Sequence, residues 1–364
     1  MKIEENLIRY AVKAWNGVRP VPVVVTVECD EIGVAVHNAL VLDQTGKTPT
    51  PYKAYCPRCR CLFPDQIKKV PPRPTCHCCS RPLVEPWHLT AFEKYLDTSF
   101  DAALSRCGAL KFKPWFGKGY TDVNSERSDC GNHNRILIAG ESHYTNRQDP
   151  KLRQLEIADW LDDDWSTREI FAWYPLLGRT NAGSSNNGGR SNIPTYDNLF
   201  EIVAGDPLVE DTSECLQKRV KLCRNIAFGN FFQRPFTYIP TWHERPSCTY
   251  ANDDHMPAWE AILHVFSVSR PTLCLFLGVT AAKCFDYYMR QYQSQFNITR
   301  WNLMVQKTRI NRCYPRSGTI TMGGSTIALE FIRHPSMFVT CSAWREYLFK
   351  RVPWLKAEID SILA

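Results

Sequence analysis

The sequence lacks any run of about 18 apolar residues, so it offers no helix long enough to span a bilayer. Its first residues, Met1-Lys2-Ile3-Glu4-Glu5-Asn6, lack the basic and apolar regions of a secretory signal. It shows no internal repeat. It also lacks a large excess of one charge: 44 Lys and Arg stand against 37 Asp and Glu, a net charge of +7. Such a balance permits a polyanionic partner without demanding one. These absences point to a cytoplasmic chain with no membrane partner.

Hydrophobic residues make up 44% and charged residues 22%, which suits one large domain or two unequal ones with a sizeable core. Sixteen cysteines are abundant for such a chain. In a reducing compartment clustered cysteines read as metal ligands, and scattered ones as small buried apolar residues. The cluster is Cys56-x2-Cys59 followed, after sixteen residues, by Cys76-x2-Cys79. Two such knuckles bend four thiolates toward one tetrahedral ion, the signature of a structural zinc site. Cys61, His77 and Cys78 leave the ligand register partly open. A closed four-thiolate shell leaves no position for substrate, so the zinc is expected to staple a ribbon over about 52–85. Lys53, Arg58, Arg60, Lys68, Lys69, Arg73 and Arg81 would add phosphate contacts. Residues 1–130 are expected to form this β-rich region, with strands at Val21–Val27, Gly33–Val36 and Ala39–Leu42 and a connecting helix from Trp87 to Leu104.

Beyond residue 130 the pattern changes. Four short apolar runs stand out: 135–140, 225–230, 272–278 and 327–333. Near-continuous hydrophobic strands separated by helical stretches predict a parallel sheet covered on both faces. Candidate helices are Asn198–Ala204, Pro257–Ser267, Thr280–Gln291, Ala343–Lys350 and Pro353–Ala364. The Gly-, Ser- and Asn-rich segment 181–192 reads as a mobile loop. In parallel sheets ligands bind beyond the carboxyl ends of the strands. Three of those ends read Gly140-Glu141-Ser142-His143-Tyr144, Asn230-Phe231-Phe232-Gln233-Arg234-Pro235 and His334-Pro335-Ser336. A carboxylate, an amide and an imidazole thus converge on one crevice, an enzyme-like arrangement.

With these three tips in this order, residues 131–364 resemble the uracil-DNA glycosylase superfamily. Gly140-Glu141-Ser142-His143-Tyr144 corresponds to its first motif, Asn230 to the asparagine that reads the base, and His334-Pro335-Ser336 to its last motif. The resemblance implies a three-layer α/β/α sandwich around a four-stranded parallel sheet. It also implies hydrolysis of an N-glycosidic bond after a base is flipped out of DNA. Cleavage builds positive charge on the sugar and negative charge on the base, so the site needs a carboxylate and a donor. Glu141 would serve as the carboxylate, with His143 in reserve, and His334 as the donor. Asn230 can present both donor and acceptor to the base edge. Gly140, Ser142, His143, Tyr144 and Phe231 would line the base pocket. Arg333 and Ser336 would hold phosphate, with Met337 or Phe338 as a wedge.

The departures bear on substrate. Ser142 stands where one branch carries a water-activating aspartate, and His143 replaces the usual proline. A tyrosine in the place of Tyr144 crowds the C5 position of the base in the uracil-specific branch. Against that, the long segment between the first two tips holds Phe171-Ala172-Trp173-Tyr174 and the loop 181–192. Aromatics and amides suit a large polar addition on the base, such as a hypermodified cytosine of viral DNA, and hence a role in antiviral defence. Trp242-His243-Glu244-Arg245 is a further candidate for DNA contact. No lysine beside the motifs suggests lyase chemistry, so a monofunctional enzyme with no catalytic cofactor is expected. The competing readings are a zinc-ribbon protein that binds DNA or nucleotides without cutting, and a hydrolase of small nucleosides.

Overall fold

A computed structural model describes residues 7–15, 20–28, 54–56, 61–63, 95–121, 134–145, 167–171, 194–206, 208, 213–233, 235–237, 252–336 and 339–364. The chain divides into two compact units, Met1–Lys94 with Asp162–Asp164, and Tyr95–Leu161 with Trp165–Ala364. The expected strands at 33–36 and 39–42, the loop 181–192, Trp242–Arg245, Met337 and Phe338 lie outside the described residues. So do Cys59, Cys76 and Cys79, and the side chains of Cys56, His143 and Tyr144.

The first unit holds a four-stranded sheet of order β2-β1-β4-β3, built from β1 (Leu7–Trp15), β2 (Pro20–Glu28), β3 (Ala54–Cys56) and β4 (Cys61–Phe63). The valine run of β2 suits a pleated surface. Its prolines, Pro20 and Pro22, are tolerated on a strand that, among the described residues, pairs only with β1. Cys56 opposes Cys61 across an antiparallel pair.

The second unit is mixed α/β around a seven-stranded sheet. In chain order its strands are β5 (Trp115–Phe116), β6 (Ile136–Gly140), β8 (Ala227–Asn230), β10 (Leu273–Leu277), β11 (Ile298–Val305), β12 (Arg316–Met322) and β13 (Ser325–Ile332), lying in the order β11-β12-β13-β10-β6-β8-β5. The four apolar runs are the four parallel central strands, β13-β10-β6-β8. The sheet is wider than the sequence predicts: β11 and β12 extend one side and β5 the other, all antiparallel to their neighbours. A two-residue turn, Gly323-Gly324 with φ of +53° and +79°, joins β12 to β13. Such a turn matches strand twist only when both residues accept positive φ.

Both faces of the sheet are covered. One helix set is α1 (Asp101–Leu104), α5 (Asn252–Ser269) and α6 (Phe285–Tyr292). Trp259, Ile262, Leu263 and Phe266 of α5 share a cluster with Leu137, Cys274, Phe276, Leu329 and Phe331 of the strands. Strand residues of the other parity, Ile136, Ile138, Leu275 and Ile332, are equally buried. On that face lie α2 (Thr167–Phe171) and α3 (Pro194–Ala204), whose Phe171 and Tyr196 rings pack on Phe228. The remaining helices are α4 (Ser213–Asn225), α7 (Cys341–Arg351) and α8 (Pro353–Leu363). Cys107, Cys215, Cys223, Cys274 and Cys341 are buried, in keeping with scattered cysteines acting as small apolar residues.

Three expectations need correction. The helix predicted from Trp87 to Leu104 is interrupted: Leu96 bridges to Gly117 and the Asp97 N–H donates to the Phe116 carbonyl at 2.7 Å. Those cross-chain bonds remove the backbone groups a continuous helix would use. Residues 95–121, assigned to the N-terminal region, instead belong to the α/β unit, where Trp115 and Phe116 pair with β8. The helix predicted over Thr280–Gln291 is likewise split, into a 3-10 turn at Thr280–Ala282 and α6, with Cys284 between them at φ +56°. No helix among the described residues is long and apolar enough to cross a membrane.

Candidate active site

Register brings the strand ends level. Gly140 is opposite Asn230, Ala139 opposite Phe276, and Leu277 opposite Ile332. The carboxyl ends of β6, β8, β10 and β13 therefore share one edge. β6 leads on to β8 on one side, whereas β10 leads to β11–β13 on the other, so the sheet's topological switch lies between β6 and β10. Glu141 sits there. Its Oε1 would lie 3.6 Å from a Cβ built on Gly278, the residue after β10, whose φ of +139° suits glycine.

Glu141 continues the pairing of its strand: its carbonyl accepts the Phe232 N–H at 2.9 Å, and the Gly140 carbonyl accepts the Phe231 N–H at 2.8 Å. Beyond these bonds, β7 (His143–Thr145) and β9 (Pro235–Thr237) form a small parallel sheet, with His143 opposite Pro235 and Tyr144 opposite Phe236. The first two tips are thus tied together along their backbones. Ser142 is half-buried beside Glu141.

Asn230 is half-buried at the end of β8. A Cβ on Gly140 would collide with Asn230 Oδ1 and lie 3.1 Å from Phe228 Cζ. Glycine at 140 therefore sets where the amide can sit. Gly140→Ala is expected to displace the Asn230 side chain and lower activity at least about 10-fold, with a melting temperature within a few degrees of wild type, because a flexible side-chain tip can move. A thermal melt beside a rate measurement checks this. Loss of folding instead of rate would show that the close approach is a packing requirement.

Gln233 anchors the same tip. Its Nε2 donates to the Asn230 carbonyl at 2.7 Å, and its Oε1 accepts the N–H groups of Lys111 and Phe112 at 3.0 and 3.1 Å. Those partners lie more than a hundred residues away in sequence, so no local signal marks this role. His255 was also missed. It is buried on α5, faces the Phe232 ring edge at 5.1 Å and stacks on Tyr288.

His334 follows β13 and is half-buried. The Ser336 N–H donates to His334 Nδ1 at 3.2 Å, and Ser336 Oγ lies 2.6 Å from the same nitrogen. A ring nitrogen that accepts a backbone N–H carries no proton, so the neutral ring bears its proton on Nε2. Burial pushes the His334 pKa below its ordinary value of 6.5, and the nearby Glu141 charge only partly opposes this. Glu141 and a neutral Nε2–H imidazole thus occupy one electrostatic neighbourhood. Asn198 Nδ2 donates to the Pro335 carbonyl at 2.5 Å, which braces the turn.

Three expected contacts look different in the structure. Phe231 is buried, with its ring edge-on to Trp259 at 5.2 Å and Phe276 at 5.8 Å, so it supports the tip from the core and does not line the crevice. Phe171, expected among substrate-stacking aromatics, is stacked on Phe228 at 4.7 Å in the interior. The Arg333 guanidinium donates to the Asn311 carbonyl and so ties down a neighbouring hairpin. Among the described residues no three His, Cys, Asp or Glu side chains group as a metal site.

No protein-family model matches the chain, and no curated protein is significantly similar to it.

Proposed function

We propose that the chain is a monofunctional DNA glycosylase of the uracil-DNA glycosylase type, its four central parallel strands forming that fold's sheet. The observation that supports this most is that Glu141, at the switch point of the sheet, lies within electrostatic reach of a neutral His334 at the end of β13, with Asn230 at the end of the neighbouring strand β8. In this reading an extruded pyrimidine is held by Asn230 through its donor and acceptor. Glu141 orients water for attack on the sugar carbon and offsets its positive charge. The C–N bond breaks as the C–O bond forms, Glu141 accepts the water proton, and His334 Nε2–H stabilises the anionic base with a hydrogen bond. A neutral donor suits this task, because the ring never has to surrender a charge it holds at rest.

Ser142, Tyr144, His143 and Ser336 complete the proposed pocket and phosphate contacts. A modified pyrimidine, with a hypermodified cytosine of viral DNA as the leading case, remains the proposed substrate. The proposal also assigns a structural zinc to Cys56, Cys59, Cys76 and Cys79. Cys56 ends β3 opposite Cys61 of β4, and the other three proposed ligands lie outside the described residues. Bound zinc would supply fold stability only.

The test is base release from DNAs carrying uracil, hypoxanthine, thymine mismatches, 5-hydroxymethylcytosine or glucosylated cytosine, read by mass spectrometry. One base released by wild type and not by Glu141→Gln establishes the activity and names the substrate. DNA binding with no free base from any of them favours the non-catalytic reading.

A further inference from the structure

Charge along this chain is unevenly spread. Between Asp286 and Glu330 there is no acidic residue, but six cations: Arg290, Arg300, Lys307, Arg309, Arg312 and Arg316. That single stretch carries +6 against +7 for the whole chain. It builds β11, β12 and the hairpin between them, at the outer side of the sheet. Arg300, Lys307, Arg309 and Arg312 are exposed.

The hairpin tip is ordered by its own chemistry. Ile310 and Cys313 exchange backbone hydrogen bonds of 2.8 and 2.9 Å around Asn311 and Arg312, at φ +49° and +63°. This is the geometry of a tight two-residue turn, and asparagine is among the residues that adopt it with least strain. Arg309 lies over the Tyr314 ring at 5.2 Å and donates to the Arg312 carbonyl at 3.2 Å, so its guanidinium is held in place. Tyr314 itself is 46% exposed.

Position supplies the second argument. β12 runs antiparallel to β13, so the start of β12 lies where β13 ends, at the edge that carries the candidate site. The contacts agree. Arg316 donates to the carbonyl of Val279, the residue after Gly278, and Arg333, next to His334, donates to the Asn311 carbonyl. Asn311 Oδ1 accepts the Thr340 N–H at 2.9 Å, and its Nδ2 donates to Thr340 Oγ1 at 2.8 Å. A cationic, aromatic-bearing arm is therefore fastened to the β10 and β13 tips.

We infer that the β11–β12 hairpin grips the sugar-phosphate backbone of the DNA strand beside the candidate site, with Lys307, Arg309 and Arg312 on phosphates and Tyr314 against a base. This rests on the reading of the site as one that acts on DNA. Cations without neighbouring carboxylates suit a backbone, whose phosphates release counterions on binding. An exposed aromatic among them suits an unstacked base.

The experiment measures binding of a labelled DNA oligonucleotide by fluorescence anisotropy across a salt series, with the full chain carrying Glu141→Gln so that substrate survives. Adding Lys307→Ala, Arg309→Ala and Arg312→Ala together is expected to weaken binding about 10- to 100-fold at low salt. The log–log salt slope should fall by roughly 2 to 3, one phosphate per cation. Lys356→Ala, on α8, should leave both unchanged, and matching thermal melts show that the hairpin variant is folded. An unchanged slope in a folded triple variant overturns the inference, as does wild-type preference for anionic lipid vesicles over DNA. Failure of base release leaves this result readable: hairpin-dependent DNA binding without a product overturns only the excision reading.

Discussion

Replacing Glu141 by glutamine is expected to slow base release by about two to four orders of magnitude. His334→Ala should cost roughly two to three, the usual loss when one donor to a developing anion is removed. The amide of glutamine keeps the shape at the switch point but can neither accept a proton nor offset positive charge on the sugar. Both variants should still bind DNA, because the proposed phosphate contacts lie elsewhere. The pH profile carries the sharper consequence. Burial holds His334 below its ordinary value of 6.5, so the ring stays neutral through neutral pH and gains its proton only on the acid side. Activity that needs neutral His334 should therefore be lost on the acid side, with a midpoint below the ordinary 6.5 as far as this group is concerned. Glu141 pulls the His334 pKa upward. Glu141→Gln should consequently move the His334 titration, followed by NMR, to still lower pH. An upward move, or full activity in both variants, would remove the mechanism.

The second large effect lies outside the site. Glu330 sits within β13, only 3% exposed, where it accepts a 2.8 Å hydrogen bond from the Tyr347 hydroxyl, with Arg351 Nε at 3.8 Å. Arg351 is shared, since it also donates to Ser317 Oγ at 2.9 Å. Burial wins over both partners and raises the Glu330 pKa from 4.5 to about 7. The folded state therefore holds a proton that the unfolded state releases. This group's contribution is fully present below about pH 4.5 and is lost as pH rises through about 7. The shift corresponds to roughly 3 kcal/mol across that window, at 1.36 kcal/mol per unit. His334, with its depressed pKa, acts in the opposite sense, so the wild-type curve alone is not diagnostic. The difference between wild type and Glu330→Gln isolates the group: chemical denaturation at several pH values should show the variant gaining on wild type by about that amount from pH 5 to 8. Parallel curves would place the Glu330 titration elsewhere.

Much of the α/β unit is legible in the sequence. β6, β8, β10 and the buried part of β13 are short and largely apolar, because strands buried on both faces favour apolar side chains; Glu330 in β13 is the exception. α7 and α8 also lie close to where helical spacing puts them. β11 and β12 were not legible, since a sheet's outer strands mix exposed Arg300, Asn302 and Met304 with buried positions and dilute the hydrophobic signal. The break at Leu96 was hidden for another reason: its spacing is helical, and only the distant backbone of Gly117 competes for its hydrogen bonds.

The same division runs through the candidate site. Glu141, Asn230 and His334 could be proposed from sequence because each follows an apolar run directly, and a parallel sheet puts such ends on one edge whatever the loops do. Tertiary structure decided what sequence leaves open. It set the strand order that puts Glu141 at the switch point, and the Ser336 N–H that places the His334 proton on Nε2. It assigned Phe231 to the core, brought Asn311 to the β13 tip, and tied Gln233 of the β8 tip to the distant Lys111 and Phe112. Most of those outcomes depend on hydrogen bonds and packing between residues widely separated in sequence, which no local pattern of residue types encodes; the Ser336–His334 bond is local, but the turn that makes it is braced from Asn198.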